Sequence, residues 1–515
     1  MSSQLDALLH QAFAQALPDN YMSLRSTEAI VECQDSLRDV LQAFVQTAFG
    51  VHRDYIRLLN NNNSVNRLPP ELLPAIFQSL PLRDRIRATH VCHHWRVVAL
   101  SAPSLWSVIS CPTRGSLLAL PELVARSSAA PLDLCIPNIS RPHDMLWALH
   151  VVKDHGHRLQ SLLLAPTFEW PDADVYDWAL DSMPLLRDLY IKWSKGPTSW
   201  LRISPFAAAG LGALEQVELV NVDAFDCFAL FTSVTRLSLN LAPGCTTYQL
   251  ISHIAQCRRL QHLELTLSKY NISLAALTAA EATATSDMPS LSSLTISGTL
   301  PRSEDNDPAA NLFEALRSHT IPSVFYPLQR EGHHTLRGNR RAERLLLSDM
   351  TGITHFCLTH LAARTVEVED ERGFCRTAEF VLRDFDDSEY RQLHSVVMLG
   401  LPFDAWCDLR APGITLAQLE RLTITELPVG PRWRHARWAT CPKLRSLTLG
   451  VGDESPERIV EAAVDTVEFY IRGHPMPLEQ VILVGNRPQR LLSAIRELPA
   501  ASRDQVRGWE ALPHM

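Results

Sequence analysis

The sequence lacks the short motifs that mark common enzyme families. It contains no Gly-x-Ser-x-Gly turn, no glycine-rich phosphate loop ending in Lys-Ser/Thr, no His-Glu-x-x-His pair and no dinucleotide-binding fingerprint. No stretch approaches the roughly 18 apolar residues of a membrane-spanning helix. The first residues, Met1 to Asp6, lack the basic and apolar regions of a signal peptide. We therefore expect no catalytic site, no cofactor, no signal peptide and no membrane insertion.

Paired cysteines and strong charge are missing too. The eleven cysteines include no Cys-x-x-Cys, and most lie in apolar runs, as Cys92, Cys227 and Cys357 do. This is typical of reduced, buried thiols in an intracellular protein. The net charge of −8 is thinly spread over 515 residues, and the eleven tryptophans are not interleaved with basic residues. These features argue against a nucleic-acid or membrane surface. What remains is 46% apolar and 20% charged, which indicates a folded protein long enough for several domains.

Two clusters superficially suggest metal ligands. His90, Cys92, His93 and His94 lie close together in the sequence. Adjacent helix positions point in different directions, so these residues cannot close one tetrahedral shell without distant partners. Three aspartates between positions 384 and 387 fall in an expected turn without the glycine that a calcium loop needs. We expect no metal at either place.

Residues 1–63 are predicted to be a helical segment ending in a linker. A short amphipathic helix is predicted near residues 5–16, and a longer one follows Thr27. Spacings of three and four connect the apolar positions of the longer helix, which are Ile30, Cys33, Leu37, Val40, Phe44, Ala48, Val51, Tyr55 and Leu58. This heptad-like seam permits self-association or packing against the same chain. We favour the second, because Cys33, Ala48 and Tyr55 are poor coiled-coil anchors. Asn60 to Asn63 favours a turn.

The stretch from Leu68 to Trp106 predicts three short helices. Leu73, Ile76, Phe77 and Leu80 form one helical stripe. The regular helix should begin near Leu72, because the prolines at 69, 70 and 74 suit only a helix start. Pro81 should end it, and Asp84 should cap the next helix. Three such helices have too little surface to bury a core alone, so we expect much of their apolar surface to be shared with a partner.

This stretch closely resembles the F-box motif. The pattern comprises Leu-Pro-x-Glu, an Ile-Phe-x-x-Leu helix, an Asp-initiated second helix, Val-Cys-x-x-Trp-Arg and a closing Pro-x-Leu-Trp; it is matched by Leu68, Pro69, Glu71, Ile76, Phe77, Leu80, Asp84, Val91, Cys92, Trp95, Arg96, Pro103, Leu105 and Trp106. The resemblance implies docking onto the Skp adaptor of a cullin-RING ubiquitin ligase. The residues expected to bind the adaptor are Leu68, Pro69, Leu73, Ile76, Phe77, Leu80, Val91, Trp95, Leu105 and Trp106.

Beyond Trp106 the chain repeats itself. Four nine-residue segments align without gaps, beginning at Met183, Cys257, Met288 and Cys441, and each ends in Leu-x-x-Leu-x-Leu/Ile. Seven weaker copies of this ending begin at 159, 214, 234, 353, 393, 419 and 478. The last two apolar residues of each copy alternate as on a strand and face one side. Segments between copies have helical spacing at 171–182, 247–256 and 455–470. Units of this kind bury their apolar faces only by stacking.

The repeat resembles an irregular leucine-rich repeat of the kind that commonly follows an F-box. The fold expected is therefore α/β, with N-terminal helices and a three-helix F-box followed by an irregular leucine-rich-repeat solenoid. The predicted domains are a helical segment over 1–63, an F-box over 64–110, a solenoid over 111–500 and a tail over 501–515.

The repeat is less regular between Leu300 and Ala378. The segment Thr365 to Arg376 alternates valines with acidic residues, which predicts an edge hairpin. The segment 330–344 concentrates five arginines, and inserted loops of a solenoid often bind ligands. A solvated surface loop is the simpler interpretation. The candidate substrate-binding residues are Arg337, Arg340, Arg341 and Arg344.

The function expected is that of a non-catalytic, substrate-recognition subunit of an SCF-type ubiquitin ligase. Its partners would be the Skp adaptor with its cullin complex and a protein target that the sequence does not identify. The resemblance also implies the cytoplasm or the nucleus as the location. The alternative is a repeat scaffold without a role in ubiquitination, and the sequence does not separate the two.

Overall fold

The structure is a computed structural model of the full chain. It describes residues 27–61, 63–168, 183–193, 201–202, 212–223, 231–240, 245–267, 275–278, 288–298, 308–326, 352–359, 365–379, 393–402, 415–427, 441–451, 478–484, 488–496 and 508–512, with isolated residues and pairs between some of these ranges. The chain divides into two compact units. The first comprises residues 1–111 and 118–134, and the second comprises residues 112–117 and 135–515.

Most of the described helices lie in the N-terminal third of the chain. They are α1 (Thr27–Asn61), α2 (Leu72–Gln78), α3 (Leu82–Ala88), α4 (His93–Leu100), α5 (Arg114–Leu118), α6 (Leu120–Arg126), α7 (Pro142–His155), α8 (Thr247–Ile254), α9 (Pro308–Ala315) and α10 (Pro488–Arg496). Short 3-10 helices cover Ser64–Arg67 and Pro103–Trp106. The helix predicted near residues 5–16 falls almost wholly outside the described residues.

Prolines lie at the starts of the short helices α2 and α3. Helix α2 begins at Leu72, as predicted, with Pro74 in its first turn, where a missing N–H costs little. Pro81 rather than Asp84 is the N-cap of α3. The prediction that Asp84 caps this helix is wrong, because Pro81 has an extended backbone and starts the helix three residues earlier. Asp84 instead lies in the first turn, where it pairs with Arg87 at 2.9 Å.

The described strands form a long ladder. Their bounds are β1 (Val108–Ser110), β2 (Leu132–Ile139), β3 (Leu159–Pro166), β4 (Asp188–Lys192), β5 (Leu201–Arg202), β6 (Gln216–Val220), β7 (Val222–Asp223), β8 (Arg236–Asn240), β9 (His262–Leu267), β10 (Ser293–Gly298), β11 (Ser323–Tyr326), β12 (Ile353–Thr359), β13 (Thr365–Asp370), β14 (Cys375–Glu379), β15 (Met398–Pro402), β16 (Arg421–Leu427), β17 (Ser446–Val451), β18 (Gln480–Val484) and β19 (Trp509–Leu512). Strands β5 and β7 pair separately.

Two runs of parallel strands make up the ladder in the second unit. The first run pairs β3, β4, β6, β8, β9, β10 and β11 in that order. The second pairs β12, β15, β16, β17, β18 and β19. Parallel neighbours need a crossover between strands. In the first run the sequence copies start 20 to 31 residues apart, which leaves room for such a crossover.

The aligned leucines stand in register across this ladder. Leu189 lies level with Val217, Leu237, Leu263 and Leu294 on successive strands. Leu447 holds the same position between Leu422 and Val481. Leu189, Leu263, Leu294 and Leu447 are all at most 2% exposed. Their predicted burial is confirmed, and the alternating pattern leaves polar residues on the other face of the same strands.

An antiparallel meander joins the two parallel runs. Strand β13 lies antiparallel between β12 and β14, and β14 then pairs parallel to β11. The predicted hairpin over Thr365 to Arg376 therefore exists, but its predicted edge position is wrong. Val368 is buried while Glu367 and Glu369 are exposed, and this alternation fits any strand with one solvated face. Alternation alone thus predicts which face of a strand is buried. It does not predict whether the strand lies at the edge or in the interior of the sheet.

Local caps fix two of the connections. Thr246 and Gln249 form a reciprocal capping box at the start of α8, within the helix predicted at 247–256. At the end of β10, Gly298 has a φ of +125°, and a Cβ there would collide with the carbonyl of Leu267. Glycine is therefore required at this strand end. The helix predicted at 171–182 lies outside the described residues, as does most of 455–470.

The observed class is mixed α/β, with helices over the F-box-like region and a large sheet. Among the described helices none is long and apolar enough to cross a membrane.

Candidate functional site

The F-box stretch builds a small core from three helices. Leu73 and Phe77 of α2 are buried, as are Val98 of α4 and Trp106. The Phe77 ring lies 5.0 Å from the ring of Trp95, and Trp106 Nε1 donates to the carbonyl of Ala99 at 2.9 Å. These contacts close the helices on themselves. Leu73 and Phe77 therefore hold the domain together rather than facing solvent.

A buried arginine ties the second helix to the end of the motif. Arg85 is 8% exposed and donates to the carbonyls of Leu80 and Leu105, both at 2.7 Å. Burial lowers the pKa of Arg85 from its usual range. Because arginine carries several donors in a fixed fork, one side chain joins two turns of the backbone here. The motif-based prediction missed this residue, although an arginine among the apolar positions of a short helix was a visible signal.

Apolar side chains remain exposed on the outside of the same helices. Leu72 and Ile76 lie one turn apart on α2, and each is 48% exposed. Val97 and Leu100 form a second such pair on α4, and Val91 in the preceding turn is exposed as well. Large apolar side chains uncovered in this number on a forty-residue domain indicate an interaction surface.

The residues predicted to bind the adaptor thus fall into three groups. Ile76, Val91 and Pro69 are exposed. The half-buried ones are Leu68, Leu80 and Trp95, and the buried ones are Leu73, Phe77, Leu105 and Trp106. Leu72, Val97 and Leu100 were not predicted, because the motif pattern leaves their positions unspecified.

Asparagines connect α1 to this domain. The side chain of Asn66 donates to the carbonyl of Asn60 at 2.6 Å and accepts from Trp95 Nε1 at 2.7 Å. Asn63 accepts from the backbone N–H of Val65 and caps the 3-10 helix. The predicted turn at Asn60 to Asn63 thus begins later than expected, because Asn60 and Asn61 belong to the last turn of α1, and Asn63 and Asn66 form the hydrogen-bonded connection that follows.

The outer face of the ladder carries polar side chains in rows. One row contains Asp188, Gln216, Arg236, His262 and Ser293, and the next contains Tyr190, Glu218, Ser238, Glu264 and Thr295. A pocket of about 240 Å³ lies among them. Lys192 pairs with Glu218 at 2.7 Å, and His262 Nδ1 lies 2.7 Å from Ser293 Oγ. The pKa of Tyr190 is raised, first by burial and then by Asp188 and Glu218.

Of the four candidate arginines, the structure describes Arg341. Its guanidinium donates to both carboxylate oxygens of Glu314 at 2.7 and 2.8 Å, and to Asn311 Oδ1 at 3.2 Å. Both contacts to Glu314 come from one nitrogen, Nη2, and the contact to Asn311 comes from Nη1. Together they hold Arg341 against α9, so part of its hydrogen-bonding capacity is used within the chain. Arg337, Arg340 and Arg344 lie outside the described residues.

The described residues contain no group of three or more His, Cys, Asp or Glu side chains placed to hold a metal ion. The histidines at 90, 93 and 94 therefore belong to no such group among the described residues. The aspartates between 384 and 387 lie outside the described residues.

Part of the chain matches a known protein family. Residues 65–112 match the F-box-like family. The match coincides with the helices α2 to α4 and the closing Pro103–Trp106 turn, and so the chain carries an F-box-like domain. No curated protein matches the chain as a whole.

Proposed function

We propose that this protein is the substrate-recognition subunit of an SCF-type ubiquitin ligase. The observation that carries the proposal is a closed F-box-like core with uncovered apolar pairs on its outside. In this role the chain itself catalyses no reaction. It raises the effective concentration of a target near the catalytic end of the ligase.

The adaptor-binding surface centres on α2 and α4. The exposed side chains on this surface are Leu72, Ile76, Val97 and Leu100. A partner that covers them disturbs no packing of the core, because none of them is buried in it. Each side chain of this size that becomes buried contributes roughly 1.5–3 kcal/mol to binding. Leu73, Phe77, Leu105 and Trp106 contribute by holding these helices in place. The domain spans 64–110 in this proposal, preceded by the helical segment 1–63.

The rest of the chain serves as the target-binding array. We assign residues 111–500 to an irregular leucine-rich-repeat solenoid with a tail over 501–515. The parallel pairing and the buried, in-register leucines support this assignment. The meander formed by β12, β13 and β14 is the irregular part, and a solenoid tolerates such an insertion where neighbouring strands still pair.

The arginines at 337, 340 and 344 are proposed to contact an acidic or phosphorylated target. Arginine suits bidentate recognition of carboxylate and phosphate. Exchanging these three for Gln should remove a subset of partners while adaptor capture is retained. Arg341→Gln is the matched control, since that guanidinium already binds Glu314. An unchanged partner set for the triple variant contradicts this assignment.

The test of the proposed function is affinity purification of the full chain from cells with the proteasome inhibited. The expected result is recovery of the Skp adaptor together with a cullin, and accumulation of ubiquitinated targets. Recovery of the adaptor without any cullin would instead favour the scaffold function. Failure to recover the adaptor contradicts both.

A further inference from the structure

Helix α1 carries an uncovered apolar stripe of unusual length. The helix has 35 residues, so it extends about 52 Å at 1.5 Å per residue. None of its described side chains is buried. The stripe consists of side chains that are 40–69% exposed, namely Val31, Leu41, Val45, Phe49, Ile56 and Leu59. At 100° per residue these six fall on one side of the helix.

The stripe differs from the heptad seam predicted from the sequence. The seam positions Leu37, Val40 and Phe44 are half-buried, whereas the later seam positions Val51, Tyr55 and Leu58 are 47–63% exposed, as the stripe is. Both belong to one wide apolar face. The uncovered surface of α1 therefore comprises the stripe and the C-terminal part of the predicted seam, and the favoured packing of the seam against the same chain stays a prediction.

Five of the six stripe residues are arranged symmetrically about Val45, and Ile56 is the exception. Leu41 and Phe49 lie four residues before and after Val45, and Val31 and Leu59 lie 14 residues before and after it. When a second copy of α1 runs in the opposite direction, Leu41 faces Phe49 and Val31 faces Leu59. A two-fold axis then passes through the Val45 pair, as in an isologous dimer.

Charge also matches an antiparallel second copy. Between 27 and 44 the helix has four acidic residues and one arginine, and between 45 and 61 it has two arginines, one histidine and one aspartate. Asp35, Asp39 and Arg53 lie along one edge of the stripe. In the antiparallel pair, Arg53 of one helix comes level with the space between Asp35 and Asp39 of the other. Neither Arg53 nor Asp39 has an ion-pair partner among the described residues.

The register has two unfavourable meetings, Arg38 with His52 and the stripe residue Ile56 with Gln34. Arg38 already pairs with Asp35 at 2.9 Å, which draws its charge toward the edge of the stripe. The uncovered apolar area amounts to on the order of 500 Å² per copy and 1,000 Å² for a pair, the size at which specific interfaces begin.

We propose that α1 is a dimerisation helix, and that two copies of this protein associate through antiparallel pairing of their α1 stripes. The F-box-like helices take no part in the pairing, so the dimer forms with or without the adaptor. This inference does not rest on the proposed function.

The test is sedimentation equilibrium of the full chain. The wild type should give twice the chain mass of 57.7 kDa. Phe49→Glu should raise the dissociation constant at least about 100-fold, because it places a charge in the apolar stripe. Ser36→Glu adds the same charge at an exposed position 180° from Val45, on the opposite face of the same helix, and this control should remain dimeric.

Charge exchange tests the orientation. Arg53→Asp should weaken association roughly 5- to 10-fold, and adding Asp39→Arg to it should restore the wild-type value to within about 3-fold. Circular dichroism should be unchanged in every variant, since α1 buries none of its described side chains. A monomeric wild type, or a Phe49→Glu variant that stays dimeric, overturns the proposal. Loss of adaptor binding in a protein that still dimerises would reject the proposed function alone.

Discussion

At the scale of single residues, burial decides which chemistry a side chain retains. Cys257 and Cys441 begin two of the aligned segments, and both are at most 1% exposed. Burial raises the pKa of each thiol to about 12. Thiolate is the reactive form of cysteine, so these two residues serve as small apolar side chains of the core.

Alkylation should therefore spare these two cysteines in the folded protein. Treatment with iodoacetamide at pH 8, followed by mass spectrometry, should leave Cys257 and Cys441 unmodified until denaturant is added. An unfolded cysteine, with a pKa of about 8.5, reacts readily under the same conditions. Rapid labelling of either residue in the native protein would show that its strand is not packed as described.

Asp370 is a buried residue whose carboxylate charge is stabilised by hydrogen bonds. Burial works to raise the pKa of its carboxyl, but donors from the Arg372 side chain and from the N–H groups of Phe374 and Arg372 outweigh burial and lower the pKa below its usual range. The distances are 2.6 Å to the Arg372 guanidinium and 3.0 Å to the Phe374 N–H. The carboxylate thus organises the turn between β13 and β14.

Asp370→Asn should destabilise this turn at neutral pH by about 1–3 kcal/mol. Because the folded pKa lies below the unfolded value, the stabilisation is complete above about pH 3.9 and is lost as the pH falls through the folded pKa. Hydrogen exchange of the Phe374 amide at several pH values measures this loss. Glu367→Gln, on the exposed face of β13, is the control and should leave the exchange rate unchanged.

At the scale of elements, rows of buried apolar side chains, most of them leucines, hold neighbouring strands of the ladder together. Leu263 of β9 lies level with Leu237 of β8 on one side and with Leu294 of β10 on the other. Truncation of the Leu263 side chain would leave a cavity in the core that these strands share. The polar residue next to it, Glu264, faces outward and is exposed.

Leu263→Ala should lower the free energy of unfolding by roughly 2–5 kcal/mol, through lost burial and the cavity left behind. Glu264→Ala, one position along the same strand, should change it by no more than about 0.5 kcal/mol. Urea unfolding followed by circular dichroism measures both. Equal effects of the two substitutions would mean that the two faces of β9 are not distinguished by burial.

How far the sequence predicted the structure depends on the kind of signal. The start of α2 at Leu72 and the burial of Leu189, Leu263, Leu294 and Leu447 followed from proline chemistry and period-two alternation, which are local. The position of β13 inside the ladder did not follow, because pairing partners are chosen over long distances. Nor did the sequence separate Ile76 from Phe77. Both fit one helical stripe, and the packing of α4 decides which of them is covered.

At the scale of the whole molecule, the chain consists of two compact units. The first holds the F-box-like domain and α1, joined through Asn60, Asn66 and Trp95. The second holds the strand ladder with its polar outer face. In the proposed function the first unit binds the adaptor and the second binds the target. A substitution in the adaptor surface should therefore leave the ladder folded.

The most direct measurement is titration of purified Skp adaptor into the full chain by calorimetry. Ile76→Asp should weaken binding at least about 10- to 100-fold, because it removes a buried apolar contact and introduces an unpaired charge. Gln78→Asp, on another side of α2, is the control and should bind as the wild type does. Unaltered melting of both variants would show that folding is intact. Wild-type protein that binds no adaptor, or an Ile76→Asp variant that binds with unchanged affinity, would contradict the account.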